Sequence, residues 1–98
     1  MSDERLKRLG NRWSIADGEL RLALPGPMTR TGSVAAHAGK LADEMDHHPT
    51  ITLAYPGLAL AIHSHDAGAI TDRDWRYADA LEAWLRANGW DLPVEDLK

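Results

Sequence analysis

The sequence predicts an α+β fold: one antiparallel sheet with its long helices packed on one face. Two observations lead there. Two stretches alternate apolar residues across hairpin-like turns, and each is followed by a longer stretch in which apolar residues recur with the period of a helix. With a short helix in front, the order becomes helix, hairpin, helix, hairpin, helix, which suits two layers around one core. A chain of 98 residues, 44% of them hydrophobic, is expected to form a single domain over 1–98.

The opening run Ser2-Asp3-Glu4-Arg5-Leu6-Lys7-Arg8-Leu9-Gly10 reads as a short helix, a lid or spacer, with Ser2 as cap, acids in its first turn and Gly10 as its stop. Trp13-Ser14-Ile15 and Leu20-Arg21-Leu22-Ala23-Leu24 flank an Asp17-Gly18 turn and form the first hairpin. Pro25-Gly26-Pro27 breaks the extended pattern. From Met28 to Met45, the positions Val34, Ala38, Leu41, Ala42 and Met45 mark one face of the main helix. Pro49 disfavours helical geometry at His48, so the chain should turn at the histidine pair.

A second hairpin, Thr50 to Tyr55 and Leu58 to His65, is joined by Pro56-Gly57. Ile51, Leu53 and Tyr55 should share one face, as should Leu58, Leu60 and Ile62, while His63 and His65 lie on the opposite face beside Ala59 and Ala61. The last helix begins with Thr71 as cap and ends at Asn88-Gly89, with Trp75, Ala78, Leu81 and Leu85 toward the core.

Composition excludes several function classes. The net charge of -4, with lysine and arginine scattered, offers no footprint for a phosphate backbone, so direct nucleic-acid binding is not expected. No cysteine is present, which removes disulfides and thiolate metal sites. No apolar run reaches the length of a membrane span, no signal peptide is evident, and a cytoplasmic protein is expected. Trp13, Trp75, Trp84 and Trp90, in a chain without phenylalanine, should supply bulky packing or serve an interface.

Four of the five histidines fall between positions 47 and 65, as His47-His48-Pro49 and His63-Ser64-His65. Imidazole exchanges protons near neutrality and also ligates metals. A histidine in the last turn of a helix can simply complement its negative end, and histidines on a strand can be merely solvated. The convergence of a helix end with the end of the following hairpin favours a site. Asp74 reads first as the third residue of a capping box, Thr71-Asp72-Arg73-Asp74, though a carboxylate at a helix start can also orient an imidazole. His37, beside the apolar stripe of the main helix, reads as structural. A zinc or iron site from His47, His48, His63 and His65 with Asp46 or Asp66 would match the ligand types but no recognised spacing.

The run Asp43-Glu44-Met45-Asp46-His47-His48-Pro49, followed by Tyr55, His65 and Asp74, closely resembles the signature of the pterin-4a-carbinolamine dehydratases. That signature has an acidic residue four before a His-His-Pro, an aromatic six after the proline, a histidine ten beyond, and an aspartate nine beyond that; each interval is met. Asp43 replaces the usual glutamate and Ile51 a common tryptophan, and the phenylalanines usual in the first hairpin and main helix are absent.

The resemblance implies a four-stranded antiparallel sheet, assembly as a homodimer or homotetramer, and no metal or organic cofactor. It implies loss of water from a 4a-hydroxytetrahydropterin to give a quinonoid dihydropterin, in recycling after an aromatic amino-acid hydroxylase. The implied catalytic residues are His47, His48, His65 and Asp74: His47 and His65 would be the acid or base groups on either side of the pterin, His48 would bind the ring and stabilise charge, and Asp74 would orient a histidine or hold its charged form. Asp46, Ser64 and Asp66 would join His48 in contacting substrate. The same family implies an alternative, a non-catalytic dimerisation or assembly-factor module.

Overall fold

The computed structural model describes residues 2–90, without the side chains of residues 2 and 3, so the expected Ser2 cap lies outside the described residues. Its elements are α1 (Ser2–Leu9), β1 (Trp13–Ala16), β2 (Glu19–Pro25), α2 (Met28–Met45), β3 (Thr50–Ala54), β4 (Gly57–Ile62) and α3 (Asp72–Ala87). The strands form one antiparallel sheet in the order β1-β2-β4-β3, the α+β arrangement expected.

The central pair sets the core. Leu20, Leu22 and Leu24 of β2 stand opposite Ile62, Leu60 and Leu58 of β4, and all six are buried. Because side chains alternate along a strand, this puts six branched apolar residues on one face. Val34, Ala38 and Ala42 of α2 and Trp75, Ala78, Leu81 and Leu85 of α3 cover that face. The alanines of α2 let it lie close to its neighbours, and Tyr77 of α3 donates its buried hydroxyl to the Ala38 carbonyl at 2.7 Å. Burial pushes that phenol well above its ordinary pKa. At the first hairpin Asp17 and Gly18 both take positive φ, 54° and 74°, as a tight turn matched to strand twist requires.

Three expectations need correction. α1 is a packed element rather than a lid or spacer: Leu9 is buried, Leu6 is partly so, and Arg5 is bound to Asp72 at 2.8 Å. The reason is their spacing of three, which sets Leu6 and Leu9 on one helical face. β4 stops at Ile62, not His65, because its partners run out there. β2 pairs with it as far as Leu20↔Ile62 and β3 as far as Thr50↔Ala61, and Ser64 bridges Ala69 instead. Ile51 and Leu53 do share a face with Leu60 and Leu58, but β3 ends at Ala54, so Tyr55, 79% exposed, lies in the turn beyond it, and burial fades from a half-buried Ile51 to Leu53 at 38% exposure. β3 is an edge strand, and the helices do not reach its far end.

A buried polar cluster ties the chain ends of the core together. Glu82 of α3 accepts two bonds from Arg12 at 2.9 Å each, one from the Trp13 indole at 2.8 Å and one from Arg86 at 2.7 Å. Burial alone would push this carboxyl up, but the bonds from Arg12, Trp13 and Arg86 outweigh it and hold it below the usual carboxylate range. Trp13 and Trp75 are buried; Trp84 and Trp90 pack partly exposed at the margin of the core.

Candidate active site

Helix α2 ends in a way that fixes the backbone of the histidine pair. Asp46 adopts the left-handed conformation, φ 49° and ψ 47°. Its N–H bonds to the Asp43 carbonyl at 3.3 Å, and the next N–H, that of His47, reaches the Ala42 carbonyl at 3.0 Å. These two bonds make a Schellman motif, with aspartate where glycine is usual. Arg73 of α3 donates to the Asp46 carbonyl at 2.8 Å, so the turn is tied to the helix that starts beside it.

The motif aims His47 inward. Its ring is 7% exposed, and Nε2 lies 2.5 Å from Oδ1 of Asp74, which is fully buried. The other carboxylate oxygen of Asp74 accepts the Thr71 N–H at 2.7 Å and the Ser64 hydroxyl at 2.9 Å. Ser64 also shares a 2.6 Å bond with the Thr71 hydroxyl. Asp74 therefore does both things its position allows: it reaches back to the helix start and holds an imidazole. A neutral imidazole that donates Nε2–H to such a carboxylate has its lone pair on Nδ1. The exposed part of the ring borders a shallow opening lined by Met45, Arg73 and Arg76.

His48 turns outward and meets Asp43 at 3.0 Å, an exposed pair. His65 is exposed, and its ring meets that of His63 edge-on, with centroids 4.4 Å apart. His63 is in turn 3.2 Å from Glu19. Asp66 is exposed and lines a second opening with Ser64, Ala67, Thr71, Asp72 and Arg73. Thus the structure joins His47, Asp74 and Ser64 in one buried cluster, places His65 directly after Ser64 in the chain, and sets His48 with Asp43 apart on the surface. The Ser64 hydroxyl is committed to Asp74 and Thr71, behind His47. Among the described residues no three acidic or histidine side chains gather as a metal site.

Two partnerships went unread in the sequence. Continued alternation past Leu60 and Ile62 puts Ser64 on the helix side, where its hydroxyl meets Asp74, and that alternation is itself a readable signal. The Glu19–His63 pair depends on strand register and carries no local mark. His37 is structural in the expected sense: it stacks on Trp84 at 4.4 Å, with planes 7° apart.

The sequence profile of the family described as pterin 4 alpha carbinolamine dehydratase matches residues 1–84. A Streptomyces coelicolor protein named for that family is 35% identical over 89 residues, covering 89% of this chain and 87% of its own. A Haloarcula marismortui protein of the same name is 32% identical over 84 residues, covering 83% and 90%. The crystal structure of a transcriptional coactivator/pterin dehydratase from Brucella melitensis superposes with a TM-score of 0.75 at 22% identity, over 84% of this chain and 89% of that one, and so shares the fold. A match to the family over most of the chain, with relatives above 30% identity along nearly their whole length, makes this protein a member of the pterin-4a-carbinolamine dehydratase family.

Proposed function

We propose that this chain dehydrates a 4a-hydroxytetrahydropterin to the quinonoid dihydropterin by histidine acid-base catalysis, within tetrahydropterin recycling. The observation that supports it most is the buried His47–Asp74 pair, a solvent-shielded imidazole whose orientation and tautomer are fixed by a carboxylate. In the reaction the C4a–OH bond breaks as the oxygen takes a proton and leaves as water, the N5–H proton is removed, and the N5 electron pair forms the C4a=N5 bond. His47, with Nδ1 free to accept, takes the N5 proton while Asp74 carries the compensating charge. His65, as imidazolium, protonates the departing hydroxyl. His48 holds the ring, and Asp46, exposed and next to His47 in the chain, and Asp66, which lines one of the openings, are further substrate contacts. Ser64 acts from behind by holding Asp74. No metal or organic cofactor enters these steps.

Stopped-flow ultraviolet absorbance with a 4a-hydroxytetrahydropterin tests the reading. Wild type should accelerate dehydration at neutral pH, and His47→Ala and His65→Ala should each lose about 10²-fold or more of that gain. Folded wild-type protein that leaves the uncatalysed rate unchanged would refute it.

The same reading carries self-association as a dimer or tetramer. β3 pairs with β4 on one side, and the exposed Leu53 of the strand and Tyr55 of the turn after it offer apolar area of the kind that interfaces cover. Sedimentation equilibrium should give a mass at least twice that of one chain; a monomer at micromolar concentration removes this part. Should the chain be a non-catalytic dimerisation or assembly module instead, the assembly would persist with no dehydration.

A further inference from the structure

We infer that Glu19 and His63 form a positioning pair for His65, so that the surface imidazole of the proposed site is held by a second imidazole anchored across the sheet. The inference rests on the catalytic reading of His65. His63 sits next but one to His65 on the same side of the extended segment, and the rings meet edge-on at 4.4 Å with planes 61° apart. An isolated imidazole on an exposed segment samples several rotamers; a fixed ring edge against it removes some of them and holds the acid near one direction.

The anchor comes from β2. The register that sets Leu20 opposite Ile62 brings Glu19 beside His63, and Oε2 of Glu19 lies 3.2 Å from Nδ1 of His63. The other oxygen of Glu19 accepts from Arg21 at 3.1 Å, and Arg21 also bonds Asp17 at 3.0 Å. Glu19 is therefore held by Arg21, which Asp17 at the turn holds in place, and its geometry is passed to His63 rather than lost to rotation. The charged and titratable groups placed around His65 by these contacts and by the chain are His63, Glu19, Arg21 and Asp66. Both Glu19 and His63 are partly buried, unlike the exposed His48–Asp43 pair, where a hydrogen bond to water competes.

A double-mutant cycle separates positioning from general support. His63→Ala should lower kcat by on the order of tenfold, because small displacements of an acid-base group are expensive in rate, and should change KM by less than about twofold. Glu19→Gln should give a smaller loss in the same direction, and His63→Phe, which keeps a ring edge, should recover most of the rate. His63→Ala added to His65→Ala should cost nothing further, since His63 acts only through His65. Thermal melts of each variant exclude unfolding as the cause. Carbon relaxation of the His65 ring, read without substrate, should show greater mobility in His63→Ala. Unchanged ring mobility, or a full additive loss in the double variant, overturns the inference while leaving the dehydratase reading intact. A His65→Ala protein as fast as wild type overturns both the role of His65 and the positioning built on it.

Discussion

Nε2 of His47 and Oδ1 of Asp74 stand 2.5 Å apart across 27 residues of sequence, with the carboxylate out of contact with solvent. A carboxylate buried without partners would be costly, and Asp74 is buried with three residues bonded to it. One of those bonds starts a helix, and another fixes a ring. The residue thus links the stability of the start of α3 to the chemistry of the end of α2.

Asp74→Asn keeps the shape of the side chain but can no longer accept from His47, Ser64 and Thr71 alike. The imidazole is then free to present the wrong nitrogen. The expected outcome is a fall in kcat of about 10²-fold or more, with an unchanged circular dichroism spectrum. Single-turnover stopped-flow checks it, and a rate constant within about threefold of wild type would separate the pair from catalysis.

Asp46 holds a left-handed backbone that most side chains resist. Asp46→Val should lose about 1–2 kcal/mol of stability, whereas Asp46→Gly should be at least as stable as wild type. Urea denaturation of the three proteins measures this. Equal midpoints for valine and glycine would mean the helix end is not confined to that geometry.

Glu82 joins α3 to Arg12 and Trp13 from the other side of the core. Glu82→Ala leaves buried donors unpaired and should cost about 3–5 kcal/mol at neutral pH. Its carboxyl is held below its ordinary 4.5, so the unfolded chain takes up the proton first. The stabilisation is complete above 4.5 and is lost as pH falls through the lower, folded value. Denaturation midpoints at successive pH values should show wild type and Glu82→Gln converging in acid.

His37 behaves with the same sign in a higher range. Burial lowers its pKa from 6.5, Lys40 adds to this, and Glu44 opposes. The unfolded chain binds the proton more readily, so stability declines as pH falls from 6.5 through the folded value. His37→Phe keeps a ring against Trp84 and removes the titration. Its melting temperature should fall less than that of wild type between about pH 7.5 and 5.5; parallel curves would dismiss the titration of His37 as the source.

Much of the fold was legible because periodicity and turn chemistry agree over long stretches. The 18 residues of α2 begin and end where the spacing of Val34, Ala38 and Ala42 and the position of Pro49 place them. The Asp17-Gly18 turn and the Thr71 start of α3 are equally local signals. The limits were non-local. That β4 halts at Ile62 depends on where β2 and β3 begin, and that Tyr55 stays exposed depends on how far the helices reach. At the site, the four histidines stood out by clustering, Asp74 read first as a helix cap, and the family resemblance gave His47, His65 and Asp74 roles. The bond from Ser64 to Asp74 and the approach of His63 to Glu19 arise from register, which one segment read alone does not contain.

The three residues from His63 to His65 turn one hydroxyl inward to Asp74 and two rings to the opposite side, only because an extended chain alternates. Loss or gain of a single residue between Ile62 and Ser64 would exchange their places, sending an imidazole against Asp74 and the hydroxyl into solvent. Related chains should therefore vary freely in the length of the loop after Asp66 but not in the distance from the last sheet pair to Ser64. In this segment a deletion would be more damaging than almost any substitution.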